Sequence, residues 1–497
     1  MGFRSLTARK LCVTVIALIF ACATAFAFLF APTTAIKAEE SSTVPNIELG
    51  AIGVTYIIGD DSVNNLIGAE EVNGNAEEYG WYVYSEANNT YRYTRLDMGW
   101  AAAMSAVTSA NNRVRVVLAS DWIAQPTERE VSNNKLLYTS FGADEKVFPY
   151  GRLEIPQGMY MQLDLNGNVI DRRLRTPDKI DNRNYESEYA GVIYCQGEEL
   201  EIVDSEPNKT HNGEYDYQKK QLQNENASVN GGIIAGSRAF YGALNVIRSK
   251  LVIRGGTITN NGRVEYGGSG GSAAIQLSGA ASLTMLGGKI VNNANLGRAG
   301  AAGAGVYLKD YCVFNMYDGE IADNAIGWAG GGVCPEDESV FNMYGGYILR
   351  NTAKSYGGGV YSNGFFNLYG GEIANNSTDA RGSGGGVWVA SGDIKVYGGK
   401  ICNNAAQNGG GIYIYNTDVS CISGGEISGN TAKNGKGGGI YVENVFSNIP
   451  TITEVSITEN NADYGGGIYI GQNGYCTIGD CVISENTSTH NGSGVCS

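Results

Sequence analysis

Glu459 and Glu485 hold the same place in two successive copies of a repeated string, two residues after the Ile of "SITENN" and of "VISENT". If the copies lie one strand spacing apart, about 4.8 Å, the two carboxylates fall within ~5 Å of each other. At that distance like charge raises one pKa or invites a cation, and calcium is the ion such oxygens suit. The separation also fits the acid and nucleophile of a retaining glycosidase. Any two acids in one slot of neighbouring copies would show it, so solvated surface is the structural reading beside the catalytic one.

Binding chemistry is suggested by aromatics that recur after an apolar residue, at Tyr307, Tyr361, Trp388, Tyr413, Tyr441 and Tyr469, with Cys334 and Cys496 breaking the row. Their neighbours alternate inward, so this slot is expected to point outward. Exposed ring faces in file can stack on sugars, and their hydroxyls can bond sugar oxygens. A purely structural role, stacked rings covering a strand surface, is the competing reading. A second outward file, Tyr317, Tyr344, Tyr369 and Tyr397, precedes a Gly-Gly pair.

The elements that position these residues follow from one marker, the Ile of "GGEI". It recurs as Ile258, Ile290, Ile321, Ile348, Ile373, Ile401, Ile427, Ile457 and Ile483, at spacings of 25 to 32 residues. Three residues after every marker stands an asparagine: Asn261, Asn293, Asn324, Asn351, Asn376, Asn404, Asn430, Asn460 and Asn486. Five residues before it is an apolar side chain, as in Met316, Met343 and Leu368, and a second apolar column follows the glycine run, as in Val333, Val360 and Val387. Both alternate with period two, which marks strands with one buried face.

Short copies repeated in one order must pair in parallel with the copy above and below, giving a coil stacked on itself. The expected fold is all-β, a parallel β-helix of about twelve rungs, roughly 27 residues each, with about three strands per rung. In it the asparagines form an amide ladder that satisfies backbone groups at a bend, and glycines at positive φ turn corners. On this reading Asn404→Leu costs ~1–3 kcal/mol.

"DMGWAAAMSAV" adds a short N-terminal capping helix, with Asp97 as N-cap and Trp100, Met104 and Val107 on one face. A hairpin is read around "SEANNTYRY", and residues 152–170, 191–205 and 242–256 read as worn copies of the repeat. The domain reading is a signal peptide over 1–38, an N-terminal region over 39–112 and the β-helix over 113–497, regular from about 242. Polar insertions at 172–190 and 206–230 loop out.

Arg4, Arg9 and Lys10 precede an apolar run from Leu11 to Ala31, the layout of an export signal or an uncleaved membrane anchor. The protein is therefore expected to be secreted or on the cell surface. Its 35 Lys+Arg against 50 Asp+Glu give a charge of −15, and loss of residues 1–38 leaves 31 against 50, or −19. Such acidity disfavours nucleic acid and anionic membrane surfaces as partners. Eight cysteines follow residue 38 in neither disulfide-framework nor zinc spacing, so buried free thiols are expected.

"LDLNGNVID", "LEIVDS" and the recurrent "GGGVY…FNMYGGEI…N" units resemble the pectate-lyase-like right-handed β-helix superfamily, particularly bacterial surface proteins of the adhesin type. The likeness covers about residues 95–497. It implies either carbohydrate-active enzymes or adhesive stalks. The enzymes' residues are not matched: Asn416-Thr417-Asp418 stands alone, neither His211 nor His490 lies in a Gly-His-Gly, Asp60-Asp61 precedes the stack, and "RTPDKI" lacks a second arginine.

The reading reached is a non-catalytic scaffold or adhesin that binds a polysaccharide or a surface or matrix protein through an extended face, with no cofactor motif. The alternative is a polysaccharide lyase or glycoside hydrolase of the same fold.

Overall fold

The computed structural model describes residues 50–60, 83–86, 89–131, 134–140, 151–173, 191–211, 230–237, 241–263, 274–296, 302–417, 420–445 and 449–497. The expected signal segment, Asp61 and most of both polar insertions lie outside them.

Alternating apolar residues give each turn its strands, and every repeat pairs in parallel with its counterpart on the next turn. A turn contributes two successive strands to a 25-stranded sheet, a short strand to a nine-stranded sheet and one to a twelve-stranded sheet. Regular turns thus hold four short strands rather than three. The extra one is the two-residue piece after the ladder asparagine, such as Ala325–Ile326 or Thr352–Ala353. The chain forms a parallel β-helix, and its twelve-stranded sheet, from Leu153–Ile155 to Val495–Cys496, counts the turns.

The register places like over like. Phe314, Phe341 and Phe366 pair in sequence, with ring centroids 4.8 and 5.2 Å apart inside the tube. Met316, Met343 and Leu368 follow them inward, opposite Ile321, Ile348 and Ile373 and the valines of the twelve-stranded sheet, in one continuous core.

The asparagine ladder is present on all nine turns. Asn404 shows the pattern: its Nδ2 donates to the Ile373 carbonyl on the turn before (2.9 Å) and to Oδ1 of Asn430 on the turn after (3.0 Å). Its own Oδ1 accepts from Nδ2 (3.0 Å) and the backbone N–H (2.9 Å) of Asn376. At the N-terminal end the Ser237 N–H donates to Asn261 Oδ1 at 3.0 Å. The ladder packs beneath the glycine run. A Cβ on Gly359 would stand 2.7 Å from the Gly386 carbonyl oxygen and 3.0 Å from Asn376 Nδ2, so only glycine fits there.

The residue just before each ladder asparagine takes the left-handed conformation on every regular turn, including Asn260, Asp323, Arg350, Gly429, Glu459 and Glu485. Asn and Asp tolerate this region because their short polar side chains bond locally.

At the N-terminal end, α1 (Leu96–Met104) packs near the parallel strands Ala51–Ile58, Thr90–Tyr93 and Asn112–Leu118. Buried Trp100 meets Trp122 edge-on at 5.4 Å. The N-cap is Arg95, not Asp97. Asp97 lies in the first turn, where its negative charge faces the helix N-terminus and pairs with the Arg95 guanidinium. Val107 falls past the helix end and is 96% exposed, so it does not share the Trp100 face. Val83–Glu86 and Thr90–Tyr93 form the expected antiparallel hairpin.

Candidate functional site

The outward side of the first strand in each turn carries three parallel columns. On consecutive turns the outward residues are Val313, Asn315 and Tyr317; Val340, Asn342 and Tyr344; Phe365, Asn367 and Tyr369; then Asp393, Lys395 and Tyr397. The strings "VFNMY", "VFNMY", "FFNLY" and "DIKVY" encode them, and period two sends Phe341 and Met343 inward while their neighbours face out.

The asparagines form a second, outer amide ladder. Asn342 Nδ2 donates to Asn315 Oδ1 and Asn367 Nδ2 to Asn342 Oδ1, both at 2.8 Å. Sequence reasoning missed this ladder, although the thrice-repeated Asn between two apolar residues was its signal.

The tyrosines stack along the axis. Centroids are 4.7 Å apart for Tyr317 and Tyr344, 4.8 Å for Tyr344 and Tyr369, and 5.2 Å for Tyr369 and Tyr397, with planes within 17° of parallel. Tyr344 and Tyr369 therefore have both ring faces against neighbouring rings and can offer a ligand only their edges and hydroxyls. Tyr397 is followed on the next turn by Ser423, so one of its faces has no ring of this file above it. Tyr369 is 38% exposed, and the other three are half-buried. Burial raises the Tyr317 phenol, and burial followed by the Tyr369 and Cys421 charges raises that of Tyr397. Both remain neutral hydroxyls at physiological pH.

Beside the start of this file lies a groove of about 1010 Å³ along the glycine corner, with Gly255, Gly287 and Gly319 in its lining and Lys289, Glu320 and Arg350 among its charged groups. Its charges are partly spent across turns: Arg350 pairs with Asp323 at 2.8 Å and Glu320 at 3.2 Å. Further along the same slot, Lys400 pairs with Glu426 at 3.1 Å. Towards the N-terminus the outward columns become a buried ionic network, in which Glu201 accepts from Arg113 (2.9 Å), Gln162 (2.9 Å) and Arg254 (2.6 Å).

The six aromatics expected to form an exposed row are brought together, but not as an open platform. Tyr361, Tyr413 and Tyr441 are only 6, 8 and 6% exposed, while Tyr307, Trp388 and Tyr469 are half-buried. The slot does face away from the tube. However, the segments leading into the glycine runs fold back over it, joined by bridges from Ala302 through Ala329, Tyr356 and Ser383 to Asn408. Ala302, Ala329, Trp328 and Tyr356 pack on Tyr361 and Trp388 as a small second core.

Inside this cover Tyr307 donates to Glu336 at 2.7 Å, and Tyr413 donates to Glu443. Burial pushes both phenols well above their usual range, and the paired carboxylates add to the shift. Burial also raises the Glu336 carboxyl, against the hydrogen bond from Tyr307.

Glu459 and Glu485 do occupy adjoining turns, where Thr458 pairs with Ser484 just before them. Both are exposed and left-handed, at the corner before the inner ladder. Among the described residues no group of three or more His, Cys, Asp or Glu could hold a metal ion. The eight cysteines after residue 38 are free thiols, buried or half-buried.

Compared with known proteins, the chain matches no family model, no curated protein and no solved structure.

Proposed function

We propose that this is a secreted or cell-surface scaffold of the adhesin type, which binds an extended glycan, or a matrix protein presenting one, without catalysis. The fold-level kinship adopted is with the pectate-lyase-like right-handed β-helices. The observation that carries the reading is the three-column outer patch, in which an aliphatic or aromatic row and an amide row repeat at the strand spacing over Val313–Asn367, beside a tyrosine row that runs on to Tyr397 after Asp393 and Lys395 have ended the other two.

A regular polymer lying along the axis meets the same trio of groups on three consecutive turns and a fourth tyrosine on the next. Each contact is weak, and affinity grows with the number of turns engaged, as in multivalent binding. Sugar hydroxyls bond the tyrosine edges and amides, and a terminal ring stacks on Tyr397. The mixed charges of the adjoining groove, partly spent across turns, favour a neutral chain.

The test is a glycan array and a matrix-protein panel, read with wild type and with a Tyr344→Ser, Tyr369→Ser, Tyr397→Ser triple variant. Binding lost in the variant with its unfolding transition intact supports the reading. Undiminished binding, or release of unsaturated or reducing ends from a bound polysaccharide, overturns it.

A further inference from the structure

A second recess lies on a different sheet. On the outward side of the twelve-stranded sheet, the column that elsewhere carries covered aromatics reads Tyr194, Asn245, Gln276 and Tyr307 on successive turns. Two carboxamides thus interrupt the aromatic column. Beside them run Ile247, Ser278 and Lys309, and among the described residues Arg152 and Tyr241 also line the cavity of about 320 Å³ formed here.

The lining is built rather than incidental. Asn245 is 6% exposed and Gln276 3%, unusual burial for amides outside a core. The Arg152 guanidinium lies 3.9 Å over the Tyr194 ring and donates to Glu154 at 3.1 Å, so its position is held from two sides. The buried carboxamide oxygen of Asn245 accepts no hydrogen bond among the described residues. A buried acceptor without a donor costs about 1–3 kcal/mol, and a ligand carrying a donor removes that cost. Nearby cations are balanced, Arg152 by Glu154 and Lys309 by Asp310 at 3.8 Å, so the recess has no net call for an anion.

We propose that this recess binds a single neutral pyranose unit, with a sugar hydroxyl donating to Asn245 and the ring lying against the tyrosine wall. The volume is at the small end for ligand sites, and a wall of aromatic, amide and hydroxyl groups is the complement of a polyhydroxylated ring. The site shares no residue with the outer patch of the 25-stranded sheet.

The test uses the full chain and a panel of methyl hexopyranosides, with sodium sulfate and acetate as anion probes, followed by ligand-observed NMR and calorimetric titration. Asn245→Tyr places in the recess the residue that its column carries on other turns, which the fold accepts, and fills the cavity. Ser278→Ala is a milder second variant. The expected result is saturable binding of at least one hexoside, abolished in Asn245→Tyr and weakened roughly five-fold in Ser278→Ala, with an unchanged unfolding midpoint. Binding persists in the Tyr344, Tyr369, Tyr397 triple variant, which separates this site from the outer patch. No saturable hexoside binding, binding of the anions alone, or full hexoside binding by Asn245→Tyr overturns the proposal.

Discussion

Replacing Asn404 by leucine tests how the turns are held together. The carboxamide makes four hydrogen bonds, two as donor and two as acceptor, and the residue is fully buried. Leucine strands the Asn376 N–H and one Nδ2 hydrogen of Asn376, whereas the Ile373 carbonyl keeps its place in the parallel strand ladder and Asn430 Oδ1 keeps the bond it accepts from the Asn404 backbone N–H at 2.9 Å. Two orphaned groups cost about 1–3 kcal/mol each. Burial of the leucine returns about 1.5–3 kcal/mol. The net loss centres on about 2 kcal/mol, in line with the ~1–3 kcal/mol expected from sequence for one broken rung. Hydrogen exchange read by mass spectrometry over 373–405 should accelerate by roughly thirtyfold. The Asn376 amide and that of Ala405, which donates to the Asn376 carbonyl, should lead. Peptides over 153–171, many turns away, should exchange as in wild type. Acceleration below tenfold at the mutated turn would refute the view that the ladder bears on local stability.

Gly359→Ala forces a methyl group against the Gly386 carbonyl oxygen and Asn376 Nδ2, and it should destabilise by about 1–3 kcal/mol in urea unfolding; a neutral effect would mean the turns have slack. Glu336 has a raised folded pKa, so its contribution to stability is present below the unfolded value of 4.5 and is lost as pH rises through the folded value. Glu336→Gln keeps an acceptor for Tyr307 and should remove that slope, so the wild-type-minus-variant difference falls as pH rises above 4.5; parallel profiles would contradict the burial argument. Glu459→Gly relieves a left-handed non-glycine residue at a slot where Gly429 already serves one turn earlier. It should raise the urea midpoint by an amount worth up to about 1 kcal/mol, and a lower midpoint would count against the slot being a strained corner.

Much of the architecture was legible because a stacked coil needs only local rules. The marker isoleucines fixed the register, period two sorted Phe341 inward and Asn342 outward, and an asparagine on all nine turns could only be a ladder. Asp97 and Val107 went astray for a local reason: the chain enters the helix two residues earlier than the capping residue suggested, with the strand ending at Tyr93 close before it. The outer patch was half legible. Its tyrosine file was read, but not that stacking would cover the ring faces and leave edges.

What the amino-acid order determined by itself was therefore the repeat, the pairing partner of each strand and the side of the sheet each residue takes. Only the folded chain decided what lies over that side. Tyr344 and Tyr361 are both outward by alternation, yet Tyr344 remains half-buried on an open face while Tyr361 is covered by Trp328 and Tyr356. Alternation reports a direction, whereas exposure depends on distant segments arriving there. The recess at Asn245 has the same origin, since Arg152, Tyr241 and Lys309 meet around it only after the turns stack.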